Sequence, residues 1–142
     1  MFTSARNQLS GKVTAIQGGA VNDEVEIGLP DGLKIVATLT HSSTESLGLK
    51  VGSEAFALIK ASWIILLTDV SGIRLSARNQ LSGTVQEVTE GAVNSEVVLK
   101  LGSGAVITAI ITNDSVKNLG LAPGKNATAA FKASSVIVGV KA

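Results

Sequence analysis

Apolar and polar residues change places at every second position through much of the chain. Lys12, Thr14 and Ile16 alternate with Val13, Ala15 and Gln17, and Glu24 and Glu26 alternate with Val25 and Ile27. A period of two is that of a strand with one face turned to a core. Leu29–Lys34, LPDGLK, places the pair Asp31-Gly32 between apolar runs, which is a hairpin signal, and Lys34–Leu39 resumes the strand pattern. The stretch from His41 to Leu49 breaks the alternation and predicts one or two turns of helix. Ser42 with Glu45 three residues on fits a capping box, and Gly48 fits a C-terminal cap. Ala55–Lys60 and Trp63–Leu67 predict two further strands. Five short strands with a short helix before the fourth suit an all-β fold, a small OB-like Greek-key barrel.

The pattern is then repeated. SARNQLSG at Ser4–Gly11 returns letter for letter at Ser76–Gly83. At the same offset Gly19-Ala20-Val21-Asn22 falls on Gly91-Ala92-Val93-Asn94, Leu47-Gly48-Leu49 on Leu119-Gly120-Leu121, and Lys60-Ala61-Ser62 on Lys132-Ala133-Ser134. Gly102-Ser103-Gly104 takes the place of the first hairpin turn. A repeat of this length is a tandem domain rather than a solenoid. The expectation is two barrels, residues 1–69 and 73–142, packed together because the connector Thr68–Leu75 is short.

Composition narrows the function. Twelve basic against eleven acidic residues give a net charge of +1, and aromatics amount to three Phe and one Trp in 142 residues. A nucleic-acid or oligosaccharide surface on an OB-like barrel wants a positive groove and stacking aromatics, so that reading has little support. With no Cys there is no disulfide or thiolate site. MFTSARNQ lacks the apolar run of a signal peptide, and the longest apolar run, Trp63–Leu67, is far short of a membrane span; a soluble cytoplasmic protein is the default expectation. A barrel of about 70 residues with few aromatics has a thin core. A strand such as Trp63–Leu67, apolar on both faces, points to burial against another subunit.

No enzyme constellation is visible. His41 is the single His, with Asn113 at its place in the second copy, and reads as a loop residue; no cation-ligating set and no catalytic residue is expected. Glu24 and Glu96 are the only acidic residues kept in both copies. What does recur is a set of neutral donors with a few cations. Ser4 and Arg6 return as Ser76 and Arg78, Thr40 and Ser43 as Thr112 and Ser115, and Lys60, Ala61 and Ser62 as Lys132, Ala133 and Ser134. Packing positions meanwhile drifted: Phe56 became Thr128, and Trp63 became Ser135. Hydroxyls, backbone N–H groups and an ammonium together suit a small oxyanion. Singly, the same residues also read as helix caps (Thr40, Ser43), a solvated strand end (Lys60) and structural turns (the SARNQ and Gly-Ala-Val-Asn segments).

SARNQLSG, the Gly-Ala-Val-Asn turn, Thr-x-x-Ser before Leu-Gly-Leu, and Lys-Ala-Ser together resemble the Mop domain, and the pair of copies resembles the di-Mop molbindins over nearly the whole chain. The resemblance implies a cytoplasmic binder of molybdate, with tungstate as its analogue and no cofactor. It implies six domains in a homotrimer, with oxyanion sites between domains. One domain would offer Ser4 and Arg6, and a neighbour Thr40, Ser43, Lys60, Ala61 and Ser62. The second copy would offer Ser76, Arg78, Thr112, Ser115, Lys132, Ala133 and Ser134. A second class of site near the trimer axis falls to Ala20, Val21, Asn22, Ala92, Val93 and Asn94. Binding of a molybdenum-pterin cofactor is the alternative; a pterin would want a stacking face, which only Trp63 offers. Neither a nucleic acid nor a membrane is expected as a partner.

Overall fold

The computed structural model describes residues 3–30, 32–102 and 104–142. Asp31 and Ser103, to which the two hairpin signals extend, lie outside the described residues. The first sequence copy forms β1 (Asn7–Gln17), β2 (Asn22–Gly28), β3 (Lys34–Thr40), α1 (His41–Ser46), β4 (Glu54–Ile59), a 3-10 turn (Ala61–Trp63) and β5 (Ile65–Leu67). The second forms β6 (Asn79–Glu90), β7 (Asn94–Leu101), β8 (Val106–Thr112), α2 (Asn113–Leu119), β9 (Asn126–Phe131), a 3-10 turn (Ala133–Ser135) and β10 (Ile137–Gly139). No helix among the described residues is long and apolar enough to cross a membrane.

The strands make two five-stranded antiparallel sheets, ordered β10-β4-β1-β2-β3 and β5-β9-β6-β7-β8. This is the order of a partly open Greek-key barrel, but each fifth strand comes from the other sequence copy. The compact units follow the sheets: one is the chain up to Ile59 together with Lys132–Ala142, the other is Lys60–Phe131. The expected division into residues 1–69 and 73–142 follows the sequence copies, whereas the compact units each take their last strand from the other copy.

Each barrel curls on its first strand. β1 pairs with β4 through Asn7–Lys12 and with β2 through Lys12–Gln17, with a register shift between Val13 and Ala15. β6 repeats this, with a shift between Val85 and Glu87. Such bulges bend a strand and increase its twist. Gly11 and Gly83 stand just before the bends, where an added Cβ would lie 2.1 Å from the carbonyl oxygen of Gly28 and 2.4 Å from that of Lys100. No larger residue fits so close an approach.

The alternation read from the sequence is the burial pattern observed. Val13, Val25, Ile27, Ile35, Ala37 and Ile59 fill one core, and Val85, Val97, Leu99, Ile107, Ala109 and Phe131 fill the other. Three expectations need correction. The SARNQ segment, which taken singly reads as a structural turn, enters β1 at Asn7, and Asn7 is only 3% exposed. Its Nδ2 donates to the carbonyl of Ile59 at 3.2 Å, so an amide in the core fixes β1 to the end of β4. Trp63 belongs to a 3-10 turn, and the strand begins only at Ile65. The N-cap of α1 is Thr40 rather than Ser42, because the chain leaves β3 at Thr40 and turns there.

Candidate functional site

The junction from β3 into α1 is built by hydroxyls. Thr40, with φ −67° and ψ 149°, caps the helix; its Oγ1 accepts from the N–H of Ser43 at 3.1 Å and donates to Ser43 Oγ at 2.8 Å. Thr112 does the same to Ser115 at the start of α2, again at 3.1 and 2.8 Å. The threonine hydroxyl's single proton is used on the serine, so the serine's own proton is not used within the pair. Both helices close in the same way. Gly48, at φ +65°, donates to Glu45 O while Leu49 donates to Thr44 O, and Gly120, at φ +63°, and Leu121 repeat the motif on Lys117 and Val116. Helices as short as these, six and seven residues, depend on their caps more than on propensity.

The lysine groups sit on the 3-10 turns. Lys60 precedes Ala61–Trp63 and Lys132 precedes Ala133–Ser135, with both lysines exposed and Ala61 and Ala133 buried as anchors. Ser62 and Ser134 are exposed on the turns. The first N–H groups of such a turn have no partner within it. The strand exchange decides which groups share a unit. Lys132, Ala133 and Ser134 fall with Thr40 and Ser43, and the Ala133–Ser135 turn packs against β3. Lys60, Ala61 and Ser62 fall with Thr112 and Ser115, and their turn packs against β8. Within a unit, then, the Thr/Ser pair keeps company with the lysine of the other sequence copy.

Ser4 and Arg6 stand immediately before β1, and Ser76 and Arg78 before β6, all four exposed. The Thr/Ser pair lies toward the far end of β1: Gln17 pairs with Glu24, and Asn22 pairs with Thr40. The SARN segment and the hydroxyl pair are thus at opposite ends of one strand. The Gly-Ala-Val-Asn turn, in contrast, is brought to the hydroxyl pair. Asn22 lies opposite Thr40 and Asn94 opposite Thr112. The carbonyls of Val21 and Val93 accept from the N–H groups of His41 and Asn113 at 2.8 and 2.9 Å. Ala20, Val21 and Asn22 are exposed, as are Ala92, Val93 and Asn94.

Sequence reasoning missed one cluster beside this junction. His41 is the first residue of α1 rather than a loop residue. Its Nδ1 faces both oxygens of the buried Asp23 carboxylate, 3.1 and 3.2 Å away, and its Nε2 lies 3.0 Å from Glu45 Oε1. Asp23 also accepts from the N–H of Gly19 at 3.0 Å. That bond, more than the Thr44 hydroxyl or His41, holds the Asp23 carboxyl below its ordinary range, and the hydrogen bond to Asp23 raises His41 above its ordinary value. The second copy replaces the pair with neutral groups: Ser95 Oγ donates to Asn113 Oδ1, and Asn113 Nδ2 donates to Gly91 O. The signal was present as a paired difference between copies, Asp23 with His41 against Ser95 with Asn113. Among the described residues no group of three or more His, Cys, Asp or Glu is placed to hold a metal ion.

Comparison with known proteins agrees with the repeat. The TOBE domain family matches residues 3–66 and again 75–138. The chain is 50% identical over 141 residues to the molybdenum transport protein ModE of Herbaspirillum seropedicae, covering 99% of this chain and 52% of that protein. It is 50% identical over 138 residues to the molybdenum-pterin-binding protein MopA of Rhodobacter capsulatus, covering 97% and 52%. The chain thus spans about half the length of these curated relatives. A crystal structure of the cytoplasmic molybdate-binding protein ModG with molybdate bound superposes with a TM-score of 0.97 at 51% identity, covering 99% of this chain and 100% of that one. The chain belongs to the TOBE domain family and carries that domain twice.

Proposed function

We infer that the chain binds molybdate, and tungstate as its analogue, as a cytoplasmic store or buffer of the oxyanion. The observation that carries this reading is the duplicated hydroxyl pair, Thr40 with Ser43 and Thr112 with Ser115, made with the same two distances in both copies. A serine proton left unused within the pair twice over, in units that each also carry an exposed lysine beside a 3-10 turn, suits an acceptor-only guest. Likeness to ModG along the whole of both chains supports molybdate as that guest. The transport and pterin-binding activities named for the longer relatives belong to proteins of which this chain matches half.

The SARN segments complete the sites from outside. In this reading each site takes Ser4 and Arg6 from one domain of the oligomer and the hydroxyl pair from a neighbouring one, and the separation of these groups along β1 supports that division. A homotrimer of six domains provides those junctions, and the exposed Ala20–Asn22 and Ala92–Asn94 turns supply a second class of site around its axis. Isothermal titration with sodium molybdate tests the reading. Lys60→Ala combined with Lys132→Ala weakens binding severely while native mass still finds the oligomer. Unchanged affinity in that variant removes the lysines from the site. A wild-type chain that takes up no molybdate removes the function.

A further inference from the structure

The two lysine-bearing turns share one backbone design and differ in a single feature. Trp63 N–H donates to Lys60 O at 3.0 Å, and Ser135 N–H donates to Lys132 O at 3.0 Å. Lys60 and Lys132 have nearly the same extended backbone, with φ −70° and ψ 130° against φ −76° and ψ 143°. Three residues beyond Lys60 stands an indole, and three beyond Lys132 stands a hydroxymethyl group. Lys60 Nζ lies 5.8 Å from the centroid of the Trp63 ring. That is within the range in which an ammonium is attracted to an aromatic face.

We propose that Trp63 is a positioning residue for Lys60, and that it makes the two lysine-bearing sites unequal, the Lys60 class binding oxyanion more tightly than the Lys132 class. The inference rests on the oxyanion reading above and names what distinguishes its two sites. A lysine side chain free in solvent gives up rotamer freedom when it meets a ligand. A ring that already holds the ammonium reduces that loss at the moment of binding, which is the general advantage of preorganisation. The attraction to the ring uses no hydrogen-bond donor, so the ammonium's N–H groups stay available to the anion. A contact of this kind at an exposed site corresponds to about two- to fivefold in a binding constant. Trp63 is 47% exposed, so the ring and the Lys60 ammonium over it are both within reach of solvent.

The experiment reads each class alone in the full chain, the Lys60 class in a Lys132→Ala background and the Lys132 class in a Lys60→Ala background, by isothermal titration with sodium molybdate. Trp63→Leu keeps apolar bulk and removes the ring; it weakens the Lys60 class about two- to fivefold. Trp63→Phe keeps a ring and retains most of the affinity. Ser135→Trp tightens the Lys132 class by a similar factor, a gain that no loss of packing can imitate. Equal affinities of the two classes in the unaltered turns, or equal losses for Leu and Phe at position 63, overturn the inference and leave oxyanion binding standing. Absence of any molybdate binding to the wild-type chain overturns the reading beneath it.

Discussion

At the scale of single residues, Asp23 and His41 give one barrel a property the other lacks. Asp23 is buried and holds the N–H of Gly19, while His41 faces Asp23 through one ring nitrogen and Glu45 through the other. Only the doubly protonated ring donates to both carboxylates; a neutral ring turns a lone pair toward one of them. The groups that face His41 are Asp23 from β2 and Glu45 from its own helix, both acidic. The sign follows. His41 is raised above 6.5, so its contribution to stability is complete below pH 6.5 and is lost as pH rises through the raised value. Asp23 is lowered from 3.8, so its contribution is present above pH 3.8 and is lost as pH falls through the lowered value. Melting temperature is therefore expected to decline from pH 6 to pH 8.5 in the wild type. His41→Asn, which installs the residue of the second copy, flattens that decline; identical slopes for the two proteins would remove His41 as its source. The sequence displayed half of this cluster, the exchange of His41 for Asn113. The other half, Asp23 for Ser95, is legible only once β2 and the helix start are known to meet.

At the scale of elements, the strand exchange has its own record in side-chain size. Phe56 on β4 pairs with Gly139 on β10, and Thr128 on β9 pairs with Leu67 on β5. A large residue meets a small one in each barrel. Were each copy to close on its own last strand, the two large residues, Phe56 and Leu67, would face each other, and so would the two small ones. An added Cβ at Gly139 would come within 2.4 Å of the Phe56 ring, so even Gly139→Ala crowds the pair. Overpacking of this kind costs about 1–3 kcal/mol, because the ring must move off its preferred rotamer. Gly139→Leu is expected to lower the urea midpoint, and Phe56→Thr in the same chain to restore most of the loss by copying the Leu67–Thr128 pair. Strictly additive effects of the two substitutions would deny that these residues pack on each other. Much of the barrel was legible in one copy, since period-two alternation and the breaks around His41–Leu49 fix the strands and the helix between the third and the fourth. The exchange was not, because an alternating strand pairs equally well with either copy, and its trace lies in four residues that must be compared together. Trp63 was misread for a related reason: apolarity marks burial or contact but does not separate a strand from a 3-10 turn.

At the scale of the molecule, both barrels leave the same apolar positions in solvent. Val21 is 73% exposed and Val93 70%; Ile65 is 64% exposed and Ile137 57%. Single exposed apolar residues are ordinary, but the same ones at matching places in two barrels, on a chain of net charge +1, favour association. Ile65 and Ile137 lie on the strands at one edge of each sheet, where pairing and apolar contact can continue into another copy. If oxyanion sites are completed only where units meet, ligand and oligomer stabilise each other by mass action. Molybdate at about one hundred times its dissociation constant then adds about 2.7 kcal/mol per site to the assembled form and none to the separated chains. Ile65→Asp with Ile137→Asp places a carboxylate on both edges without touching a hydroxyl, a lysine or a cap. The expected outcome is separated chains by native mass that keep their circular dichroism spectrum and lose most of their molybdate affinity. Retention of wild-type affinity by those separated chains would place each site wholly inside one chain and leave the shared-site reading without support.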